Sequence, residues 1–384
     1  MKILFATDLI RFPLTGIGRY ALELARRLPD RPEIEAVRFF DGLRFVTRPR
    51  MPPPGGAGAT AVLRGWALRS EWVVAAYRRL TPAWRRMMLR RHGDHLYHSP
   101  GYFLPPFPGP KVATFHDLSH VRWPQCHPPG RVRFMAKEIP LTLRRADHLV
   151  TVSDFSRREI VACYGWPAER ISVTPLAAAP SYHPRPREAL LSRLTSLGLQ
   201  PGGYVLCVAT LEPRKNLDTL VTAYEGLPRA LRQRFPLVLA GDRGWESGAL
   251  HARIRRCQRQ GWLRYLGYVP QDILPFLYAG ARVFAYPSRY EGFGLPVLEA
   301  MASGVPVVCS NTASLPEVAG EAALMHAPDE VATLREHLRR ALEDEDWRKV
   351  ARRRGLTRAR RFSWERTVAE TVQVYRQVTA RFSA

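Results

Sequence analysis

Two glutamates eight residues apart, Glu291 and Glu299, flank the expected start of a helix in the run Glu291-Gly-Phe-Gly-Leu-Pro-Val-Leu-Glu299. Pro296 suits a first helical turn, where a missing N–H costs nothing, and Gly304 suits the exit before a strand expected at 305–308. The unpaired amides of Gly292, Phe293, Gly294 and Leu295 would then face outward from a helix N-terminus, a natural seat for a diphosphate. Glu291 would stand in the loop beside that anion, and Glu299 about two turns inside the helix. A carboxylate so close to a phosphate site is suited to accept hydrogen bonds from hydroxyls, which sugars and riboses supply. The pattern describes a site for a nucleotide sugar.

Such a site needs elements to hold it. Short apolar runs alternate with helical patterns along the chain, which predicts an α/β fold with parallel sheets. Strands are expected at 2–7, 112–116 and 149–153 in a first half, and at 204–209, 236–240, 263–267, 282–286 and 305–308 in a second. Residues 177–186 break the periodicity and read as a linker between the halves. Ser156 and Glu159 read as a capping box in the helix after the third strand, and a final helix over 364–379 carries Val368, Val372, Tyr375 and Val378 in one stripe.

Ligands of open α/β sheets bind outside the carboxyl ends of strands, so strand exits carry most weight. Gly16-Ile-Gly18-Arg19 departs from G-x-G-x-x-G and gives no dinucleotide fingerprint, yet its glycines permit close backbone approach to a ligand. His116-Asp117 closes the strand at 112–116. Thr210-Leu-Glu-Pro-Arg214-Lys215-Asn216 places two cations at another exit, and a lysine at a helix start opposes the helix dipole, which favours an anionic partner. A fixed cation beside a diphosphate that gains charge as its glycosidic bond breaks lowers that barrier by about 3 kcal/mol in a dry cleft. The fourth exit is Leu239-Ala-Gly241-Asp-Arg243-Gly-Trp245 with Gly267-Tyr268-Val269.

At 384 residues the chain exceeds the size at which a single core keeps growing, so two domains are expected, and 46% hydrophobic content suffices for both. No apolar run is long enough to span a bilayer and the N-terminus meets a charge too early for a signal peptide, so a cytoplasmic protein is expected. Five cysteines without C-x-x-C pairing predict reduced, mostly buried thiols. Neither a D-x-D flanked by apolar strands nor a Ser-His-Asp ordering occurs, so no metal is expected and Lys215, Arg214 and helix amides would neutralise the diphosphate. The formal net charge of +24 attracts polyanions. No nucleic-acid recognition motif accompanies it. Arginines 64, 69, 78, 79, 85, 86, 90 and 91 crowd 61–91, where Trp66, Val73, Tyr77, Leu80, Trp84 and Met87 recur at near-helical spacing. That composition fits a segment lying on an anionic membrane surface, and equally a pair of core-packed helices with a solvated arginine face.

The Glu291 to Glu299 segment resembles the signature of the retaining glycosyltransferases of family 4, and the resemblance spans nearly the whole chain, most sharply over 97–156 and 204–318. It implies the GT-B fold, two Rossmann-like parallel-sheet domains facing a cleft: 1–182 for the acceptor, with the basic segment near 61–91, 183–363 for the nucleotide sugar, and a helix at 364–384 crossing back. By resemblance Glu291 meets the donor sugar, Glu299 the ribose, His116 the transferred sugar, and Lys215 the diphosphate. Thr210 stands where the family places an arginine, a departure that Arg214 would make good. The loop of Gly16 and Gly18 would close over donor phosphates and acceptor, and Gly241, Tyr268 and Val269 would wall the nucleobase through backbone contacts. No residue presents itself as a nucleophile, and the family implies retention by a front-face route. Tyr97-His-Ser-Pro-Gly-Tyr-Phe-Leu-Pro-Pro106 and Phe115-His-Asp-Leu-Ser119 resemble bacterial surface-polysaccharide enzymes, which implies GDP-mannose or GDP-D-rhamnose as donor, a lipid-linked saccharide as acceptor and a place on the inner face of the cell membrane. A UDP-sugar donor, or a GT-B sugar-nucleotide epimerase, stays open as an alternative.

Overall fold

Valine, leucine, isoleucine and phenylalanine fill the short runs that become strands, as strands covered on both faces require. The computed structural model describes residues 1–12, 14–49, 84–244 and 248–383. The first sheet is built from β1 (Lys2–Ala6), β2 (Ala36–Phe40), β3 (Phe45–Val46), β4 (His95–Ser99), β5 (Lys111–Phe115), β6 (His148–Thr151) and β7 (Ile171–Val173). Their order is β3-β2-β1-β4-β5-β6-β7, parallel throughout except for the antiparallel edge pair β2–β3. The second sheet holds β8 (Val205–Val208), β9 (Leu237–Ala240), β10 (Leu263–Tyr265), β11 (Val283–Tyr286), β12 (Val307–Ser310) and β13 (Ala323–His326), all parallel, in the order β10-β9-β8-β11-β12-β13. Two parallel-sheet α/β halves are the architecture that the alternating pattern predicts.

The departures have physical causes. β4 reads His-Leu-Tyr-His-Ser, too polar for the periodicity to reveal, yet all five residues are buried because tertiary partners satisfy the imidazoles. β2 was equally hidden, with Ala36 and Arg38 exposed. β12 lies two residues later than expected, since Pro306 has no N–H for the ladder. The helix Asp154–Tyr164 begins earlier than the capping box implied: Ser153 is the N-cap, its hydroxyl accepting from Ser156 N at 3.0 Å, and Glu159 instead binds Arg122.

The final helix runs over Trp364–Ser383 and packs on the first sheet, burying Val368, Val372, Tyr375 and Val378. Tyr375 OH is hydrogen-bonded to His98 Nδ1 at 2.5 Å, and Thr367 Oγ1 donates to Pro175 O at 2.6 Å. One apolar core runs from a face of the first sheet through Leu176, Ala177 and Tyr182 and the final helix into the second sheet; a second core covers the other face of the first sheet. Four cysteines are buried and Cys163 is half-buried, and none of the five forms a disulfide. Residues 61–83 of the basic segment, and Trp245, lie outside the described residues. Residues 84–89 are helical.

Candidate active site

The residues singled out by their spacing gather at strand carboxyl ends. His116 follows β5, Lys215 lies beyond β8, Gly241 follows β9, and Glu291 lies beyond β11. β8 and β11 are neighbours, so their exit loops meet.

Glu291 is the centre of that meeting. Its Oε1 accepts from Lys215 Nζ at 2.5 Å, Ser288 Oγ at 2.6 Å and Tyr286 OH at 2.8 Å, while Arg214 NH1 lies 3.4 Å from Oε2. Burial alone would push this carboxyl up, but the Lys215 ammonium and the Arg214 guanidinium more than offset it and hold it below the usual glutamate range. Lys215 is itself 8% exposed; burial, then the neighbouring Arg214, pull its ammonium below the ordinary lysine range. Arg214 is further fixed by Glu212 (Nε to Oε1, 2.6 Å) and by Tyr290 O at 3.0 Å. The two cations expected at the diphosphate are thus locked onto one carboxylate at the mouth of the second sheet.

The helix with the outward amides spans Leu295–Ala302, with Gly294 as N-cap at φ 105° and Pro296 in its first turn. The left-handed backbone at Gly294 is open to glycine and strained for other residues. Glu299 stands one turn into this helix, one fewer than the spacing implied, because the helix begins at Leu295. Glu299 is buried; burial raises its carboxyl above the usual range against the opposing pull of Arg19, Tyr278 and Tyr182. Arg19 reaches from the first half, where Gly16 opens the helix Gly16–Arg27 and Gly18 N donates to Thr15 Oγ1 at 3.1 Å. Its guanidinium also bonds Gln271 of the second half.

His116 faces the cleft from the first sheet. Its Nε2 is 2.9 Å from Pro100 O, a pure acceptor, so in the neutral ring Nε2 carries the proton and Nδ1 is left as an acceptor suited to a sugar hydroxyl. Burial holds the ring below the usual imidazole range, hence neutral near pH 7. Gly292 shows how closely the halves approach here: a Cβ built on it would lie 1.9 Å from His116 O. Phe293 is buried against the ring of Phe362 at 5.7 Å.

The fourth exit divides. Gly241 N donates to Gly267 O at 2.7 Å and Tyr268 is 45% exposed, whereas the Val269 side chain is buried in the core, which leaves Val269 only its backbone to offer a ligand. Tyr286, Ser288, Glu212 and Tyr290 escaped the sequence reading; only Ser288, three residues before Glu291, carried a signal that spacing could have revealed. Among the described residues one group, His92, Asp94 and His95, brings three metal-capable atoms within 4.8 Å. It sits at the amino end of β4, away from these exits, with Asp94 already bonded to Lys2 at 3.1 Å and to His95 at 2.7 Å.

Two parallel-sheet halves whose strand exits carry the candidate residues define a GT-B glycosyltransferase fold. The same fold is seen in Anabaena Alr3699/HepE in complex with UDP and glucose, at TM-score 0.72 and 19% identity over 98% of this chain and 100% of that one. It recurs in WaaG, a glycosyltransferase involved in lipopolysaccharide biosynthesis, at TM-score 0.69 and 16% identity over 97% and 99% of the two chains. Residues 14–181 match the family model Glycosyltransferase Family 4, and residues 199–358 match Glycosyl transferases group 1. The Escherichia coli O-antigen chain mannosyltransferase B is 46% identical over 379 residues, 98% of this chain and 100% of its own. The E. coli serotype-specific mannosyltransferase WbdA is 33% identical over 228 residues, 58% of this chain and 28% of its own length. The chain belongs to glycosyltransferase family 4.

Proposed function

We propose that the protein transfers mannose, or its 6-deoxy relative D-rhamnose, from a GDP-sugar to a lipid-linked saccharide during bacterial surface-polysaccharide synthesis, with retention at the anomeric carbon. The observation that carries this reading is the convergence of Lys215 and Arg214 on Glu291, facing His116, in a chain that aligns end to end with an O-antigen chain mannosyltransferase. The diphosphate sits on the amides at the start of Leu295–Ala302, with Lys215 and Arg214 against its oxygens. The bond from the anomeric carbon to the phosphate oxygen breaks, and those two cations stabilise the charge left on the diphosphate without requiring a divalent ion. The acceptor hydroxyl attacks from the same face, and its proton passes to the departing phosphate oxygen. Glu291 and His116 Nδ1 hold sugar hydroxyls through this change, and Glu299 holds the ribose.

Calorimetry of GDP against UDP tests the donor, and transfer assayed in EDTA tests the role of the cations. Tighter binding of GDP and undiminished transfer in EDTA are expected. Preference for UDP would move the donor to a UDP-sugar, and activity abolished by EDTA and restored by magnesium or manganese would overturn the metal-free account. Conversion of the donor without any acceptor would point to an epimerase.

A further inference from the structure

The proposed site is split between two halves, so transfer depends on what holds them in register. Beside Glu291 several of those contacts meet at one helix, Asp154–Tyr164 of the first half. Its N-cap Ser153 satisfies only the amide of Ser156, which leaves the first two amides free. Both are taken by a carboxylate of the second half: Asp154 N donates to Glu317 Oε2 at 2.8 Å and Phe155 N to Glu317 Oε1 at 2.7 Å. Arg158 NH2 adds a bond to Oε1 at 3.2 Å from a largely exposed side chain. A carboxylate on two N-terminal amides combines charge-assisted bonds with a favourable helix dipole.

Glu317 is in turn coupled to the reactive loop. It lies on the short helix Leu315–Ala319, whose N-cap Ser314 donates through Oγ to Glu291 O at 2.9 Å and Phe293 O at 2.7 Å. Next to this, Ser153 Oγ and Ser156 Oγ donate to Gly292 O at 2.6 and 3.1 Å, and Leu118 N donates to Tyr290 OH at 3.0 Å. The backbone of Glu291, Gly292 and Phe293 is therefore tied, directly or through Leu315–Ala319, to the N-terminus of Asp154–Tyr164, and Glu317 is the one ionic tie among these contacts to that helix end.

We propose that Glu317 is a positioning residue for transfer: capping a helix of the opposite half fixes the width of the cleft and so the placement of Glu291 against His116. The proposal rests on the glycosyl-transfer reading for its kinetic consequence, whereas its geometric consequence stands without it. In Glu317→Gln one carbonyl oxygen can serve only one of the two amides, and the NH2 group would face the other. The expected result is a kcat lower by about ten- to hundredfold, the scale of a misplacement of about 1 Å. The dissociation constant of the nucleoside diphosphate, whose main proposed contacts at Lys215, Arg214, Glu299 and the start of Leu295–Ala302 belong to the second half, stays within about twofold because Glu317 touches none of them. Distances between spin labels on the two halves, measured without substrate, broaden or lengthen. Arg158→Ala, which leaves both amides capped, matches the parent protein. Should Glu317→Gln fold poorly, Glu317→Asp keeps the charge but is one methylene too short to span both amides, and gives the same pattern. Unchanged kcat and spin-label distances, or a loss of kcat matched by a loss of nucleotide affinity and melting temperature, would overturn the proposal; altered distances with no transferase activity in the parent would instead sink the functional reading alone.

Discussion

At the scale of single residues, the candidate site is built on a buried ionic knot. Glu291 and Lys215 are each under a tenth exposed, so removing one leaves an uncompensated charge in a poor solvent. Glu291→Ala should therefore destabilise the fold by about 3–5 kcal/mol besides stopping transfer, which confounds the two effects. Glu291→Gln also withdraws the counter-charge of Lys215 and Arg214 but keeps the shape and the hydrogen bonds of Ser288 and Tyr286, and should lower kcat far more than nucleotide affinity. Lys215 offers a pH test. Burial depresses its pKa, so in the free enzyme the ammonium is lost as pH rises, from below the ordinary lysine range. A profile of kcat/KM should fall on that alkaline limb, and in Lys215→Arg, whose side chain stays charged, the limb should vanish. An identical alkaline limb in both proteins would remove Lys215 from the diphosphate.

At the scale of elements, the final helix is held on the first sheet by a buried polar contact inside an apolar face. His98 Nδ1 meets Tyr375 OH at 2.5 Å and its Nε2 meets Thr114 Oγ1 at 2.8 Å. Tyr375→Phe strips one partner from a buried imidazole and should cost about 1–3 kcal/mol, read as a lower unfolding midpoint. Burial, aided by His116, pushes His98 down to about 3 from an ordinary value of 6.5. The unfolded chain consequently binds a proton that the folded one refuses. Stability is intact above pH 6.5 and declines as pH falls from there towards about 3, at about 1.4 kcal/mol per unit for this one group. A midpoint that is flat with pH across that window would mean His98 is not buried against the helix.

At the scale of the whole molecule, the charge of +24 has a visible focus. Beside the glycine turn at Gly42, Leu43, Trp84 and Met87 are 45%, 45% and 46% exposed, surrounded by exposed Arg44, Arg86, Arg90 and Arg91. Trp84 and Met87 are thus exposed at this end of the basic segment, for which we propose a membrane-facing role. Arg85 belongs to the fold: it donates to Gly42 O at 2.8 Å and faces Asp8. Replacing Arg86, Arg90 and Arg91 with serine should weaken binding to anionic vesicles by about a hundredfold at low salt, at about 1 kcal/mol per arginine. Transfer to a soluble acceptor analogue should survive. Equal sedimentation with neutral and anionic vesicles would remove the membrane from the account. No helix among the described residues is long and apolar enough to cross a bilayer.

What the chain determined by itself is what local chemistry governs. Strand-forming apolar runs, the proline and glycine around Leu295–Ala302, and the stripe on the final helix are properties of neighbours in sequence, and each was legible. So was the placement of Glu291, Lys215 and His116 at strand exits, because each follows an apolar run. Tertiary structure decided the rest. β4 is held between β1 and β5 with its buried His98 satisfied by Thr114 and by Tyr375, 277 residues away, and Glu317 caps a helix 163 residues back in the chain. Arg19 approaches Glu299, and Arg214 is pinned by Glu212, Tyr290 and Glu291, through contacts that exist only once two sheets face each other. Hydrogen bonds and ion pairs between distant residues leave no periodicity in sequence, since their geometry is set by the packing of apolar cores on which they have no local influence.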